Sequence, residues 1–262
     1  MRKLVYFVLF VVVFFVSCLN ITNNNSKMNN KIVQYSTINA LLQGYYEGEM
    51  EISELQKQGN LGLGTFNDLD GEMVIIDGLV YKVKSDGSVL KIEKPEKTPF
   101  AVVTNFSADT TFNVSQKFDL VELEKFLETK LISNNLYYAI KIYGKFDFIK
   151  ARSVPKQNKP YPKLIEASKQ QGVFEYNSTI GYLIGFWFPD YMQDINVPGF
   201  HLHFISDDKT KGGHLLNCKT DNIKIEISNI SGFQIILPTD DVFAKMNLQS
   251  SKLELDTIER DR

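Results

Sequence analysis

The chain has 262 residues, 44% of them apolar and 12% aromatic, with 29 basic against 31 acidic side chains and a formal charge of −2. That is enough apolar material for one large domain or two small ones, and it excludes a disordered chain. The near-neutral balance excludes a basic footprint for nucleic acid.

Arg2-Lys3 is followed by thirteen uninterrupted apolar residues, Leu4 to Val16, and then by Ser17-Cys18. Such a run falls short of the ~20 residues that span a bilayer and fits the apolar region of a secretory signal. The ending Phe15-Val16-Ser17-Cys18 is similar to a bacterial lipoprotein box, with Phe15 where leucine is usual. Residues 1–17 are therefore expected to be a lipoprotein-type signal peptide. The mature protein would be exported and held at the membrane, on the periplasmic or cell-surface side, only by lipid on Cys18. An uncleaved membrane anchor is the alternative. Losing Arg2 and Lys3 leaves 27 basic side chains and a mature charge of −4. With Cys18 committed to lipid, Cys218 has no intramolecular disulfide partner and reads as a small buried thiol, on the same strand face as His214 if that strand runs on without a break.

Residues 18–31 are Asn-rich and polar, too poor in apolar side chains to pack, and read as a tether to a fold that begins near Ile32. Thr37 to Met50 has apolar spacing for a short helix, while Ile52-Ser53-Glu54-Leu55 suits helix and strand alike. From Leu61 to Ile92, β-rich runs separated by Asp70-Gly71, Asp77-Gly78 and Asp86-Gly87 predict an antiparallel meander. Gly62 and Gly64 are not a nucleotide loop, because no G-x-G-x-x-G opens a helix there. Thr98 to Phe106 is a further strand. Asp119 and Glu122 form a capping-box pattern, and Leu120, Leu123, Phe126, Leu127 and Leu131 then follow at helical spacing as a core stripe. Tyr137 to Ser153 alternates as strands around Gly144, and Val154 to Pro162, with three prolines, is the best candidate linker. A helix from Lys163 to Gln171 stopped by Gly172, strands over 173–188, 222–228 and 232–237, and a short helix over Asp240 to Met246 complete the pattern. Two lobes are expected on either side of the linker, residues 32–154 and 155–262.

Between those strands lies Gly199-Phe-His-Leu-His-Phe-Ile-Ser206, a turn-rich run, and His214-Leu-Leu-Asn-Cys218. His201, His203 and His214 are the three histidines of the whole chain. Alternate strand residues share a face, so His201 and His203 project together with Cα atoms about 6.6 Å apart, while Phe200, Leu202 and Phe204 fill the other face. The turn signals over 206–213 let a returning strand bring His214 opposite the pair. A single histidine is more often structural than ligating, but three in one fourteen-residue window point to an open three-His metal site. Zn²⁺ suits three imidazoles without a thiolate, whereas a carboxylate from Asp207 or Asp208 would instead make an iron-type facial triad.

Gly62-Leu-Gly-Thr-Phe-Asn-Asp-Leu-Asp-Gly-Glu-Met-Val-Ile-Ile-Asp-Gly78, followed by Thr98-Pro-Phe-Ala-Val-Val103 and the histidine stretch, closely resembles the bacterial α-acetolactate decarboxylase family over about residues 36–262. The resemblance implies an α/β (α+β) protein with mixed sheets, two β-sheet lobes and flanking helices. Its zinc would lie on a strand hairpin of the second lobe, held by His201, His203 and His214, and its reaction would convert 2-acetolactate to acetoin and CO₂. It further implies site roles for Glu72 in L-D-G-E-M, Thr65 in G-T-F, Arg152, and a tail glutamate at Glu259, with Glu254 as the other candidate.

These residues make chemical sense beside a metal. A keto acid with a vicinal hydroxyl chelates through its oxygens, and loss of CO₂ leaves an enediolate needing a charge sink and then a proton donor. A buried glutamate fits the donor, and a guanidinium fork fits the substrate carboxylate. Taken singly, each of these charges would be read as an exposed structural group. Other three-His enzymes, a cupin-like iron oxygenase or a hydrolase, are the first alternative, and a catalytically silent surface lipoprotein is the second. Among partners, a small-molecule substrate and a homodimer are expected.

Overall fold

The structure is a computed structural model that describes residues 30–249 together with Leu255 and Ile258. The expected signal peptide, lipid-bearing Cys18, nearly all of the tether, and both Glu254 and Glu259 lie outside the described residues. No described helix is long and apolar enough to cross a membrane.

In chain order the elements are β1 (Lys31–Tyr35), α1 (Ile38–Leu42), β2 (Met50–Glu51), α2 (Ile52–Gln56), β3 (Leu61–Thr65), β4 (Glu72–Ile76), β5 (Leu79–Val83), β6 (Val89–Lys91), β7 (Lys97–Thr98), β8 (Ala101–Thr104) and β9 (Thr110–Val114). They continue with α3 (Leu120–Glu128), β10 (Tyr137–Ser153), α4 (Leu164–Ala167), β11 (Gly172–Phe188), β12 (Gly199–Ser206), β13 (Gly212–Ile230), β14 (Gly232–Ile236) and α5 (Asp241–Lys245). The class is α+β with mixed sheets, as expected.

Seven strands form one sheet in the order β14-β1-β8-β3-β4-β5-β6, in which the 61–92 segment is the predicted meander. Its neighbours are antiparallel except for β1 and β14, which run parallel from Lys31↔Gly232 to Tyr35↔Ile236. The second sheet has the order β10-β11-β12-β13-β9, and β10 pairs with both β11 and β13 along nearly its whole length. Sheet membership does not follow the expected limit at 154/155. β9 and β10 come from the first half yet pair in the second sheet, and β14 crosses back to the first. Strand pairing is set by backbone hydrogen bonds between segments far apart in the chain, which a composition change at a proline-rich stretch does not report.

The predicted linker also has a different part. Val154 is buried, the Gln157 amide donates to the Asp68 carbonyl at 2.7 Å, and Lys156 pairs with the Asp68 carboxylate at 2.9 Å. Residues 154–162 thus lie against the β3–β4 connection and brace it.

β4 is buried on both faces, which is why it reads as an unbroken apolar run after Glu72. Val74 and Ile76 join Val102, Ile184, Phe186 and Ile205 in the core shared by the two sheets, whereas Met73 and Ile75 face a separate core with Ile52 and Leu55 of α2. A third core packs Leu202, Phe204 and Ile225 against Leu120, Leu123 and Leu127 of α3. The predicted capping box is formed in full: the Glu122 amide donates to Asp119, and the Asp119 amide donates to the Glu122 side chain.

Candidate metal centre

β12 alternates as its sequence dictates. Leu202 and Phe204 enter the α3 core, and His201, His203 and Ile205 turn toward the core between the sheets. His203 sits directly across from His214 on β13, and His201 lies across from Phe186 on β11. Gly213, with φ +134°, precedes His214, and a Cβ there would lie 2.6 Å from the Arg152 carbonyl oxygen. Only glycine allows β13 to approach β10 that closely at this point.

The three imidazoles converge. Their ligand atoms lie within 4.8 Å of one another, and the ring centroids are 5.0–5.3 Å apart. All three rings are buried. Burial, with the nearby Arg152 guanidinium, pushes His201 down to about 3, and burial with its histidine neighbour holds His203 well below the ordinary imidazole range. Both are therefore neutral at physiological pH, the form in which an imidazole nitrogen ligates. His203 Nδ1 lies 2.9 Å from the Met73 carbonyl oxygen. Donation there fixes the tautomer and leaves Nε2 for a metal. These donors fit a divalent cation, and Asp207 and Asp208 add nothing to them: they are exposed in the β12–β13 turn, where Asp208 accepts from Ser206 and Thr210.

Cys218 leaves this face. Register shifts between Lys150 and Ala151, where Leu216 is passed over in the pairing of β10 with β13, so parity flips between His214 and Cys218. The thiol is consequently buried in the α3 core, with Phe146 and Leu202.

Opposite the imidazoles stand groups from other strands. Glu72, the first residue of β4, places Oε2 3.7 Å from His203 Nε2 and Oε1 3.5 Å from Arg152 Nη1. Arg152, on β10 across from His214, is buried and donates from Nη2 to the Ile258 carbonyl at 3.2 Å. Thr65, across from Glu72 at the end of β3, donates its hydroxyl to the Gly71 carbonyl at 2.8 Å. All six side chains line one cavity of about 30 Å³, closed on its other walls by Ile38, Leu41, Leu69, Phe100, Val154 and Leu164. A larger surface cleft of about 600 Å³, by Tyr45, Lys97 and Tyr161, contains none of the histidines, so donor chemistry and not volume locates the site.

No sequence pattern points to the Met73 carbonyl, the Ile258 carbonyl, or the apolar wall drawn from α1, α4 and Leu69. Leu69 turns inward because it sits at φ +57° in a loop whose preceding residue, Asp68, is also left-handed at +61°. Asp68 before Asp70-Gly71 is a turn signal, but a leucine carries none.

Comparison with known proteins agrees with this geometry. The family model described as alpha-acetolactate decarboxylase matches residues 32–250. Curated proteins of that name are 46% identical over 224 residues in Brevibacillus brevis, covering 86% of this chain and 79% of that protein, and 42% identical over 242 residues in Methanosarcina mazei, covering 92% and 83%. The crystal structure of the alpha-acetolactate decarboxylase from Bacillus subtilis strain 168 superposes with a TM-score of 0.86 at 36% identity, covering 88% of this chain and 99% of that one.

Proposed function

Because the chain belongs to the alpha-acetolactate decarboxylase family, we propose that it is a carboxy-lyase converting 2-acetolactate to acetoin and CO₂, with Zn²⁺ on His201, His203 and His214. The observation that carries this reading is the meeting of three buried imidazoles with one glutamate and one guanidinium in a single apolar-walled cavity. Zinc is favoured because the ligand set is all imidazole, without a thiolate or an adjoining aspartate. When bound, the metal supplies Lewis-acid stabilisation of the charge that gathers on the substrate oxygens as CO₂ leaves.

The rest falls to the chain's own side chains. Arg152 offers a planar pair of N–H donors to the substrate carboxylate. Holding that group too tightly would oppose its departure, so orientation is the guanidinium's main contribution. Glu72, beside both His203 and Arg152, would in its protonated form deliver the proton that the carbon needs once CO₂ has gone, and be reprotonated from solvent for the next turnover. The Thr65 hydroxyl has its proton committed to Gly71, which leaves its lone pairs to accept from a substrate hydroxyl. Ile38, Leu41, Leu69, Phe100 and Leu164 keep bulk water from the reacting carbon. Glu259 is the alternative proton donor, with Glu254 as the other candidate in the tail.

The N-terminal reading belongs to the same proposal: export and lipid on Cys18, supported by the apolar run Leu4 to Val16 with Ser17-Cys18 directly after it, and beside it a mature homodimer. Mass spectrometry of the native protein should find a diacylglycerol-bearing Cys18, and sedimentation should find two chains. The test of function is purified protein incubated with 2-acetolactate, following CO₂ and acetoin against the spontaneous rate and measuring metal content in parallel. Parental turnover after complete metal removal would sink the zinc reading, and no rate above background in the zinc-loaded protein would sink the decarboxylase reading.

A further inference from the structure

The connection between β3 and β4, residues 66–71, carries Thr65 at one end and Glu72 at the other, and it holds three residues with positive φ: Asp68 at 61°, Leu69 at 57° and Gly71 at 95°. Left-handed backbone at a leucine persists only where the surroundings over-determine it. Four sets of contacts do so. Asn67 exchanges side-chain hydrogen bonds with the Gly48 backbone at 2.9 and 3.0 Å, the Asp68 amide donates to the Tyr46 carbonyl at 2.7 Å, and Lys156 and Tyr161 hold the Asp68 carboxylate. The fourth set is buried.

Lys82 on β5 lies across from Met73, on the sheet face turned away from the histidines. It is only 6% exposed. Its ammonium sits 2.9 Å from an Asp70 carboxylate oxygen, 2.6 Å from one of Glu96, and 4.3 Å from the centre of the Phe66 ring. Its stem closes on the backbone too. A Cβ added at Gly71 would meet the Val83 carbonyl oxygen at 2.4 Å and Lys82 Cγ at 3.3 Å, so residue 71 packs directly against Lys82 and Val83 with no room for a side chain. A lysine is rarely buried unless paired, and here two carboxylates and an aromatic face compensate it. One of those carboxylates is two residues from Glu72. Strand geometry then makes the two sides of the sheet interdependent: what fixes Asp70-Gly71 on the far face sets the start of β4 and the direction in which Glu72 leaves it.

We propose that Lys82 is a positioning residue for the reaction, fixing Asp70-Gly71 from the face of the sheet opposite the cavity and through them the aim of the Glu72 carboxylate at His203 and Arg152. It never touches substrate. This rests on the reading of Glu72 as the working carboxylate. Lys82→Met keeps the stem and removes the ammonium, leaving Asp70 and Glu96 partly exposed and able to take up water. Lys82→Arg keeps a cation with donors for both.

The experiment measures kcat, KM and zinc content of the zinc-loaded full chain for Lys82→Met, Lys82→Arg, Glu72→Gln and the double variant Lys82→Met/Glu72→Gln. Lys82→Met should lower kcat by about tenfold to a hundredfold, the scale of a small misplacement of a reacting group, with zinc content and KM near parental. Lys82→Arg should recover most of that loss. In the Glu72→Gln background the same change should cost nothing further, because the group it aims is already gone. An equal loss in both backgrounds means a general weakening of the fold and overturns the proposal, as does a Lys82→Met enzyme within twofold of parental kcat. If Glu72→Gln alone is fully active, the reading of Glu72 falls and Lys82 falls with it, whereas additivity with an impaired Glu72→Gln overturns Lys82 only. Should Lys82→Met not fold, Asp70→Asn removes the other side of the pair at a partly exposed position and must show the same background-dependent loss.

Discussion

The histidine half and the carboxylate–guanidinium half of the site are assembled in opposite ways. His201, His203 and His214 come from one hairpin, with His203 and His214 directly paired, so fourteen residues of chain are enough to bring the donors together. Glu72 and Arg152 are eighty residues apart, on β4 of one sheet and β10 of the other, and they meet because the two sheets pack face to face around a common core. A ligand set built locally survives small changes in sheet packing. A pair built across two sheets is exposed to every change in how they dock.

Four substitutions sharpen that contrast, from the largest expected effect downward. His203→Ala removes a proposed metal ligand that also anchors to Met73, so both metal and turnover should be lost while the sheets keep their fold, as read by metal analysis and far-UV circular dichroism. A metal-free variant with parental activity would break the local half of the comparison. Glu72→Gln keeps volume and metal but removes the acid, and kcat should fall about 10²–10⁴-fold at unchanged zinc content. If kcat drops by less than tenfold, protonation comes from elsewhere, and Glu259→Gln is the variant to assay next.

Arg152→Lys keeps a charge in the cavity but loses the fork that meets Glu72 and the Ile258 carbonyl. Its cost should be about 10–100-fold in kcat/KM, with a change in the enantiomeric composition of the acetoin formed. An unchanged product ratio would argue that Arg152 supplies charge without orientation. Cys218→Ala should have the smallest effect: a loss of about 1–2 kcal/mol in stability from the emptied core volume, with zinc stoichiometry and kcat unaltered. Loss of zinc in this variant would contradict the parity flip at Leu216.

What could be read from the sequence follows the same division between local and distant. The alternation of β12, the Asp-Gly hairpins of residues 61–92 and the capping box at Asp119 and Glu122 are each encoded within a few residues, and each is present as expected. Ile52 to Leu55 offered no clear periodicity and is helix because its apolar residues close the far face of the first sheet. The bulge at Leu216 left no composition signal, since Leu215, Leu216 and Cys218 are all apolar and suit either face, and so an unbroken strand put Cys218 beside the ligands. The roles of Glu72, Thr65 and Arg152 came from family resemblance, because no spacing rule links residues on different sheets. The prolines of 154–162 mark an irregular segment correctly, but whether such a segment joins lobes or braces a loop depends on Asp68, eighty-six residues before Val154.

The parallel pairing of β1 with β14 has a consequence for how the chain reaches this state. Lys31–Tyr35 sits between β8 and a strand that begins at Gly232, two hundred residues later. During synthesis, β1 can pair on one side as soon as residue 104 has emerged, but its other edge stays open until residues 232–236 have followed. Contacts so distant in sequence close large loops before they return any energy, which slows folding and leaves an unpaired edge as a template for other chains in the meantime. Completion of the first sheet therefore waits on a strand two hundred residues downstream of the one it joins, and a chain cut short before Gly232 would carry the histidine hairpin next to a sheet whose edge is β1 in place of β14.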